Sequence, residues 1–305
     1  MEKIAKGVYP VMITPFTADN QVDWEAVDQI VEFYAKLGCD GIFAVCQSSE
    51  MFFLTEDERE QLAARVVKAS AGRMCVVASG HISDAIEDQI RELRRVAATG
   101  VNAVVMISNR LAAKDESDDV LIANMHRILD AVPDVPFGMY ECPCPYKRLL
   151  TPKVLEAMAE TGRFRFIKDT CCDAKLIAER VRLLNGRIQL FNANCATFLE
   201  TLKDGADGFS GIMANYHPDL LVWLYQNYQK QPEKARELSS MLSVMSLVEG
   251  CGHPAAVKYH MNLIGIPMEL KCRSIDAETH FGPLGRHAID DLLVMEGVVR
   301  EWLKH

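Results

Sequence analysis

No apolar run in the chain approaches the ~18 residues that suggest a membrane span. The opening Met1-Glu2-Lys3-Ile4-Ala5-Lys6 lacks the apolar stretch of an export signal. A cytoplasmic protein with no membrane partner is therefore expected. Positive charge is also short: 33 Lys and Arg stand against 42 Asp and Glu, a formal charge of −9. That balance speaks against nucleic acid or an anionic membrane as partner. It leaves small acidic substrates open, since they need only a local positive site. CxxC spacing is missing. Cys142-Pro143-Cys144 and Cys171-Cys172 are the closest groupings, and no nearby histidine completes a zinc set, so no metal is expected. Without an export signal the ten cysteines are expected to be free thiols. No GxGxxG follows the first predicted strand, which argues against a dinucleotide-binding open sheet. No low-complexity linker marks a domain break.

What is present is a repeat of strand, loop and helix over about 230 residues. Predicted strands are Gly7 to Thr14, Gly41 to Val45, Met74 to Ser79, Ala103 to Ile107 and Val135 to Tyr140. Three more follow at Phe164 to Thr170, Ile188 to Phe191 and Asp207 to Ser210. Amphipathic helices lie between them. Asp23 caps the first, Thr55 and Glu58 form a capping box on the second, and Ser83 opens the third. Near-continuous apolar strands alternating with such helices imply a parallel sheet covered by helices. Eight units at this length favour a closed α/β architecture, the (β/α)8 TIM barrel, over a doubly wound sheet. Residues 1–230 are expected to form the barrel that carries the site. Residues 231–305 show helical spacing at Met241, Leu242, Met245 and Val248 and again from Ile289 to Trp302. They are expected to form a C-terminal helical appendage packed on the barrel.

The chain is organised around Phe164-Arg165-Phe166-Ile167-Lys168-Asp169-Thr170. Strand alternation puts Phe164, Phe166 and Lys168 on one face. An ammonium among phenylalanines is costly unless paired or deprotonated, and a deprotonated lysine is a nucleophile for ketones. The alternatives are a lysine snorkelling to water or an ion pair with Asp169. In a barrel the site lies at the C-terminal strand ends. There the sequence gathers Thr14, the loop Cys46-Gln47-Ser48-Ser49-Glu50, Ser79-Gly80-His81, Ser108-Asn109-Arg110, Tyr140-Glu141, Lys168, Asn192 to Asn194, and Ser210-Gly211-Ile212. Gly138 shares a strand face with Tyr140 and leaves space below it. Glu141 alternates to the opposite face, toward a helix or loop.

These residues resemble the dihydrodipicolinate synthase / N-acetylneuraminate lyase family of pyruvate-dependent class I aldolases. Thr14-Pro15-Phe16 matches its TPF opening, and Glu50 with Leu54-Thr55 and Glu58-Arg59 matches the tail of GTTGE…LT…ER. Tyr140 and Pro143 match YxxP, and Lys168-Asp169 matches IKD. Gly205 to Ser210 with Asn215 and Pro218 matches a further segment, and Pro254 with Lys258 resembles a pair in the family's C-terminal helices. The resemblance implies that Lys168 forms an imine with a 2-oxo acid, needing no separate cofactor. It implies Tyr140 as proton shuttle and Ser48 as the hydroxyl that orients Tyr140 and helps hold the carboxylate. It also implies a homo-oligomer, a tetramer or dimer. Backbone N–H groups of Ser48 and Ser49 are expected anion donors. Gln47, Ser49 and Ile212 are further candidate substrate contacts, and Arg110 a candidate for a distal carboxylate.

The departures point away from the lysine-biosynthetic synthase reaction. Both glycines of GTTGE are replaced, Asn109-Arg110-Leu111 stands in place of PYY, and Pro145 stands where an arginine would bind the second substrate. The reading is a Schiff-base lyase, an aldolase or dehydratase acting on pyruvate, a related 2-oxo acid or a sugar acid. Two alternatives are a catalytically silent 2-oxo-acid-binding protein and a phosphate-sugar barrel enzyme using Gly208 and Gly211.

Overall fold

The computed structural model describes residues 3–305, so Met1 and Glu2 of the opening segment lie outside the described residues. Eight parallel strands form one sheet: β1 (Gly7–Val8), β2 (Gly41–Phe43), β3 (Cys75–Ala78), β4 (Ala103–Ile107), β5 (Phe137–Tyr140), β6 (Phe164–Asp169), β7 (Gln189–Asn192) and β8 (Gly208–Phe209). Their order is β1-β8-β7-β6-β5-β4-β3-β2. A parallel bridge from Val11 to Phe43 joins the two ends and completes a (β/α)8 TIM barrel. The first strand is shorter than Gly7 to Thr14 because Pro10 has no N–H to donate. Its carbonyl instead accepts from Phe43 N–H at 2.9 Å.

The helices are α1 (Trp24–Lys36), α2 (Glu56–Ser70), α3 (Ile86–Ala97), α4 (Ser108–Leu111), α5 (Asp118–Ala131), α6 (Pro152–Thr161), α7 (Ala174–Leu184), α8 (Phe198–Lys203) and α9 (Pro218–Asn227). The Asp23 cap and the Thr55/Glu58 capping box both form. Helix α3 starts at Ile86 rather than Ser83, because Ser83 is engaged elsewhere. Its N–H and hydroxyl both donate to Glu92, at 3.3 and 3.0 Å. Helices α10 (Pro232–Met245), α11 (Ala255–Leu263), α12 (Ala277–His280) and α13 (Pro283–Leu303) follow the barrel. None of the described helices is long and apolar enough to cross a membrane.

Aromatic rings fill the barrel. Phe191 meets Tyr9 edge to face at 4.9 Å and Phe166 at 5.8 Å. Gly138 makes room for this packing: a Cβ there would lie 2.3 Å from the Phe166 ring. The space below Tyr140 is thus filled by a neighbouring strand's phenylalanine. At the opposite end Ile4 and Gln189 exchange two hydrogen bonds of 3.1 Å, which stoppers the barrel with the N-terminal segment.

A second polar knot holds the C-terminal helices to the barrel. Glu296 of α13 is fully buried and accepts from His217 Nδ1 at 3.1 Å and His260 Nε2 at 3.2 Å. Arg300 bridges the same carboxylate, at 3.2 Å, to Asp219 of α9. Burial alone would raise the Glu296 pKa, but the hydrogen bonds from the two histidines outweigh it and bring it to about 2. Removing one member of a buried polar cluster leaves the others desolvated and unpaired. Glu296→Ala is therefore expected to lower unfolding free energy by about 3–5 kcal/mol, read by urea denaturation at pH 7. The folded pKa is depressed below the ordinary 4.5. The stabilisation by Glu296 is thus complete above that value and fades as pH falls toward 2. A variant that loses under 1 kcal/mol would show the knot to be dispensable.

Candidate active site

Lysine 168 stands at the C-terminal end of β6, inside the barrel mouth and 4% exposed. Register places Tyr140 of β5 directly beside it, and its Nζ lies 4.2 Å from the centre of the Tyr140 ring. The Phe43 ring is 5.3 Å away on another side. Among the described residues Nζ has neither a hydrogen-bond partner nor an ion-pair partner. Burial lowers its pKa from 10.5 to about 8, against weak opposing pulls from Cys46, Cys142 and Glu249. A pKa near 8 leaves about a tenth of the amine neutral at pH 7, against roughly one part in three thousand for an ordinary lysine.

The proposed ion pair with Asp169 does not form. Asp169 points to the other face of β6 and pairs with Arg180 of α7, which also lies 2.9 Å from Glu141. Glu141 accepts from the N–H groups of Leu150 at 2.7 Å and Thr170 at 2.9 Å. This buried network grips the strand ends that carry Tyr140 and Lys168 from outside the barrel.

A cavity of about 420 Å³ opens over Lys168. Gln47, Ser48, Tyr140 and Ile212 line it with the lysine. The Ser48 hydroxyl has no partner among the described residues, and its N–H meets no backbone carbonyl. Ser49 sits outside the lining. Its hydroxyl donates to Cys46 O and accepts from Cys46 N–H, both at 2.7 Å, and its own N–H closes a turn on Cys46 O at 3.2 Å. Thr14 donates to Ser49 O at 2.8 Å, so the segment after β1 braces this loop. Arg110 also lies outside the lining. The strand-four mouth coils into α4 instead of remaining a loop, which turns Arg110 toward Asp84 and over the Phe52 ring at 5.5 Å. His81 is buried away from the cavity; its Nε2 accepts from Ile107 N–H at 2.6 Å and burial lowers its pKa to about 4.

Tyr140 is buried, and its pKa lies well above 10 because of that burial, with Cys142 and Cys46 adding to it. Both thiols are themselves raised by burial, Cys142 to about 12. All ten cysteines are free, and among the described residues no three His, Cys, Asp or Glu side chains converge as metal ligands. Gly208 and Gly211 are required by close backbone approach. A Cβ on the first would meet Gly7 O at 2.0 Å and on the second Ala193 O at 2.3 Å, so protein already fills both spaces.

The C-terminal helices complete the mouth. Glu50, held at φ 61°, reaches away from Lys168 to the fully buried Lys258 of α11, 3.2 Å from its Nζ. Its other oxygen accepts from Arg273 N–H, Ser274 N–H and the Ser274 hydroxyl at 2.6, 2.7 and 2.8 Å. This clamp lays Glu249, His253, Pro254, Ser274 and Ile275 along the cavity wall. Of these, sequence reasoning singled out Pro254 and missed the others, along with Lys147, whose Nζ donates to Thr170 O at 2.7 Å. The family-like pair of Pro254 and Lys258 was the available signal.

Residues 4–277 match the sequence model of the dihydrodipicolinate synthetase family. The chain belongs to that family. Among curated relatives it is similar to the N-acetylneuraminate lyase of Rhizobium meliloti, 26% identical over 265 residues that cover 86% of each chain. It is similarly related to the 4-hydroxy-tetrahydrodipicolinate synthase of Caldicellulosiruptor saccharolyticus, 26% identical over 86% of this chain and 88% of the relative. Among solved structures the same fold is found in a prophage protein of the family from E. coli K12, in complex with pyruvate. That match has TM-score 0.86 and 20% identity over 96% of this chain and 98% of the other. Enzymes of the dihydrodipicolinate synthetase family are lyases of the class I aldolase type. They act through an imine between lysine and pyruvate without a separate cofactor.

The depressed lysine pKa gives a direct test. Competitive acetylation with trace acetic anhydride, followed by peptide mapping, should show Lys168 reactivity rising with a midpoint near pH 8. Exposed lysines should follow at about pH 10.4. A Lys168 midpoint above 10 would mean that burial does not govern its charge.

Proposed function

We propose that this chain is an aldolase or dehydratase in which Lys168 attacks the ketone carbon of pyruvate or a related 2-oxo acid, the natural substrate being a hydroxylated sugar acid with a single carboxylate. The observation that carries this reading is a buried amine without a counter-ion, packed against a tyrosine at the mouth of the barrel.

Attack by neutral Nζ on C2 gives a carbinolamine. Loss of water gives a protonated imine, which draws electrons from the bond at C3. Water leaves only if its oxygen is protonated, and the Tyr140 hydroxyl supplies and recovers that proton. The unpartnered hydroxyl of Ser48, with its N–H beside it, holds the carboxylate, which places C2 against the lysine. Because Ser49 N–H is engaged in its turn, Ser48 is the donor on this loop.

The rest of the cavity supports a neutral second half of the substrate. Arg110 is tied to Asp84 and Pro145 holds no charge, while Lys147, the lining cation besides Lys168, has its Nζ directed to Thr170 O. Gln47 and Asn194 offer neutral amide groups along the wall. Such groups suit hydroxyls better than a second carboxylate.

Incubation with pyruvate and borohydride should give a reduced adduct on the wild type and none on Lys168→Ala, read by intact mass. Tyr140→Phe should still form the adduct, with imine formation slowed by about 10²-fold. An adduct on Lys168→Ala, or its absence from the folded wild type, would sink the reading. Cleavage of a 2-oxo dicarboxylate in preference to every monocarboxylate sugar acid would overturn the substrate class alone.

A further inference from the structure

Two carboxyl groups line the cavity, Glu50 and Glu249. Both oxygens of Glu50 are engaged by Lys258, Arg273 and Ser274. Glu249 is different. It sits in the 3-10 turn Ser246–Gly250 between α10 and α11, partly buried, with no hydrogen bond or ion pair to any described residue. Its charge acts on Lys168, Cys195 and Tyr216, at the ends of β6, β7 and beyond β8. Tyr140 is instead surrounded by Cys142, Cys46 and Cys144, on the β5 and β2 side. Lys168 thus shares its cavity with two proton-carrying groups from separate elements, Tyr140 of β5 and Glu249 of the turn after α10.

We propose that Glu249 is a catalytic residue that takes a proton from C3 of the lysine-bound 2-oxo acid and returns it to the enamine. The C3–H bond breaks, and its electron pair becomes the C2–C3 double bond. The π pair of the protonated imine settles on nitrogen, and the proton ends on a Glu249 oxygen. The reverse step restores the imine, so no other reactant is consumed. The proposal rests on the imine reading above and divides the labour: Tyr140 serves the oxygen at C2, and Glu249 serves C3.

The remaining groups at the wall leave Glu249 as the base. Both ring nitrogens of His253 are buried without a partner. Burial, together with the charges of Lys258 and Lys168, lowers the His253 pKa to about 3, so at neutral pH it holds no proton and is a poor acceptor. The Tyr140 hydroxyl, pushed well above 10 by burial, stays protonated until it acts. Glu249 is raised by burial and lowered by Lys168, to about 7. An imine that keeps its positive charge favours the carboxylate form, so the base is ready when C3 becomes acidic.

The test follows the methyl protons of pyruvate by 1H NMR in D2O, alongside borohydride trapping. Wild-type protein should exchange them. Glu249→Gln should form the Lys168 adduct to the same extent yet exchange about 10²-fold more slowly. Glu249→Asp should recover part of the rate, which a merely structural role would not produce. Exchange by Glu249→Gln within about threefold of wild type, with the adduct intact, overturns the proposal. Loss of the adduct in Glu249→Gln alone also overturns it, by moving the residue's role to imine formation. An adduct missing from the wild type removes the imine reading itself, and so is distinguishable from failure of the C3 step.

Discussion

A lysine amine taken out of water without a counter-ion is the constraint around which the mouth of this barrel is arranged. The shift of Lys168 from 10.5 to about 8 corresponds to roughly 3 kcal/mol of preference against its charged form. A carboxylate in contact with the amine would oppose that preference. Three of the surrounding acids are paired elsewhere, Asp169 and Glu141 with Arg180 and Glu50 with Lys258, while the fourth, Glu249, is itself raised by burial to about 7. Thiols and rings, which burial keeps neutral, take the positions closest to the amine. The reactivity of one side chain thus depends on how several others are diverted from it.

The diverted charges also do structural work. The Glu141–Arg180–Asp169 network lies outside β5 and β6 and holds their ends in register. Glu50 joins the loop after β2 to a segment more than 200 positions later, through Lys258 and the backbone at Arg273 and Ser274. Buried ion pairs of this kind contribute little net stability once desolvation is counted, but breaking one is costly. They suit a place where geometry matters more than affinity between elements.

Much of this was legible in the sequence because the barrel obeys two short periods. Alternation along Phe164 to Asp169 put Lys168 inward, and the strand–helix repeat put its end at the mouth beside Tyr140 and Ser48. Gly138 was legible as a missing side chain, though not as room for Phe166, because a cross-strand neighbour depends on register. Arg110 was misplaced in space because α4 adds a turn that four residues cannot signal. Ser49 could not be separated from Ser48, since the turn that occupies its N–H is invisible to periodicity. Glu249 and His253 were missed for a different reason. They sit between helices of the tail, where no strand-end rule points to a site.

The clamp between Glu50 and the tail has an evolutionary consequence. The electron sink is written in β5 and β6, whereas one wall of the chamber above it is written in residues 246–275, after the last strand. Changes in that stretch can reshape what fits over the lysine without touching a strand or the barrel core. Inheritance of the chemistry and divergence of the clientele can then proceed on separate parts of one chain. A short 3-10 turn beside α10 is a more permissive place for such drift than any position within the sheet.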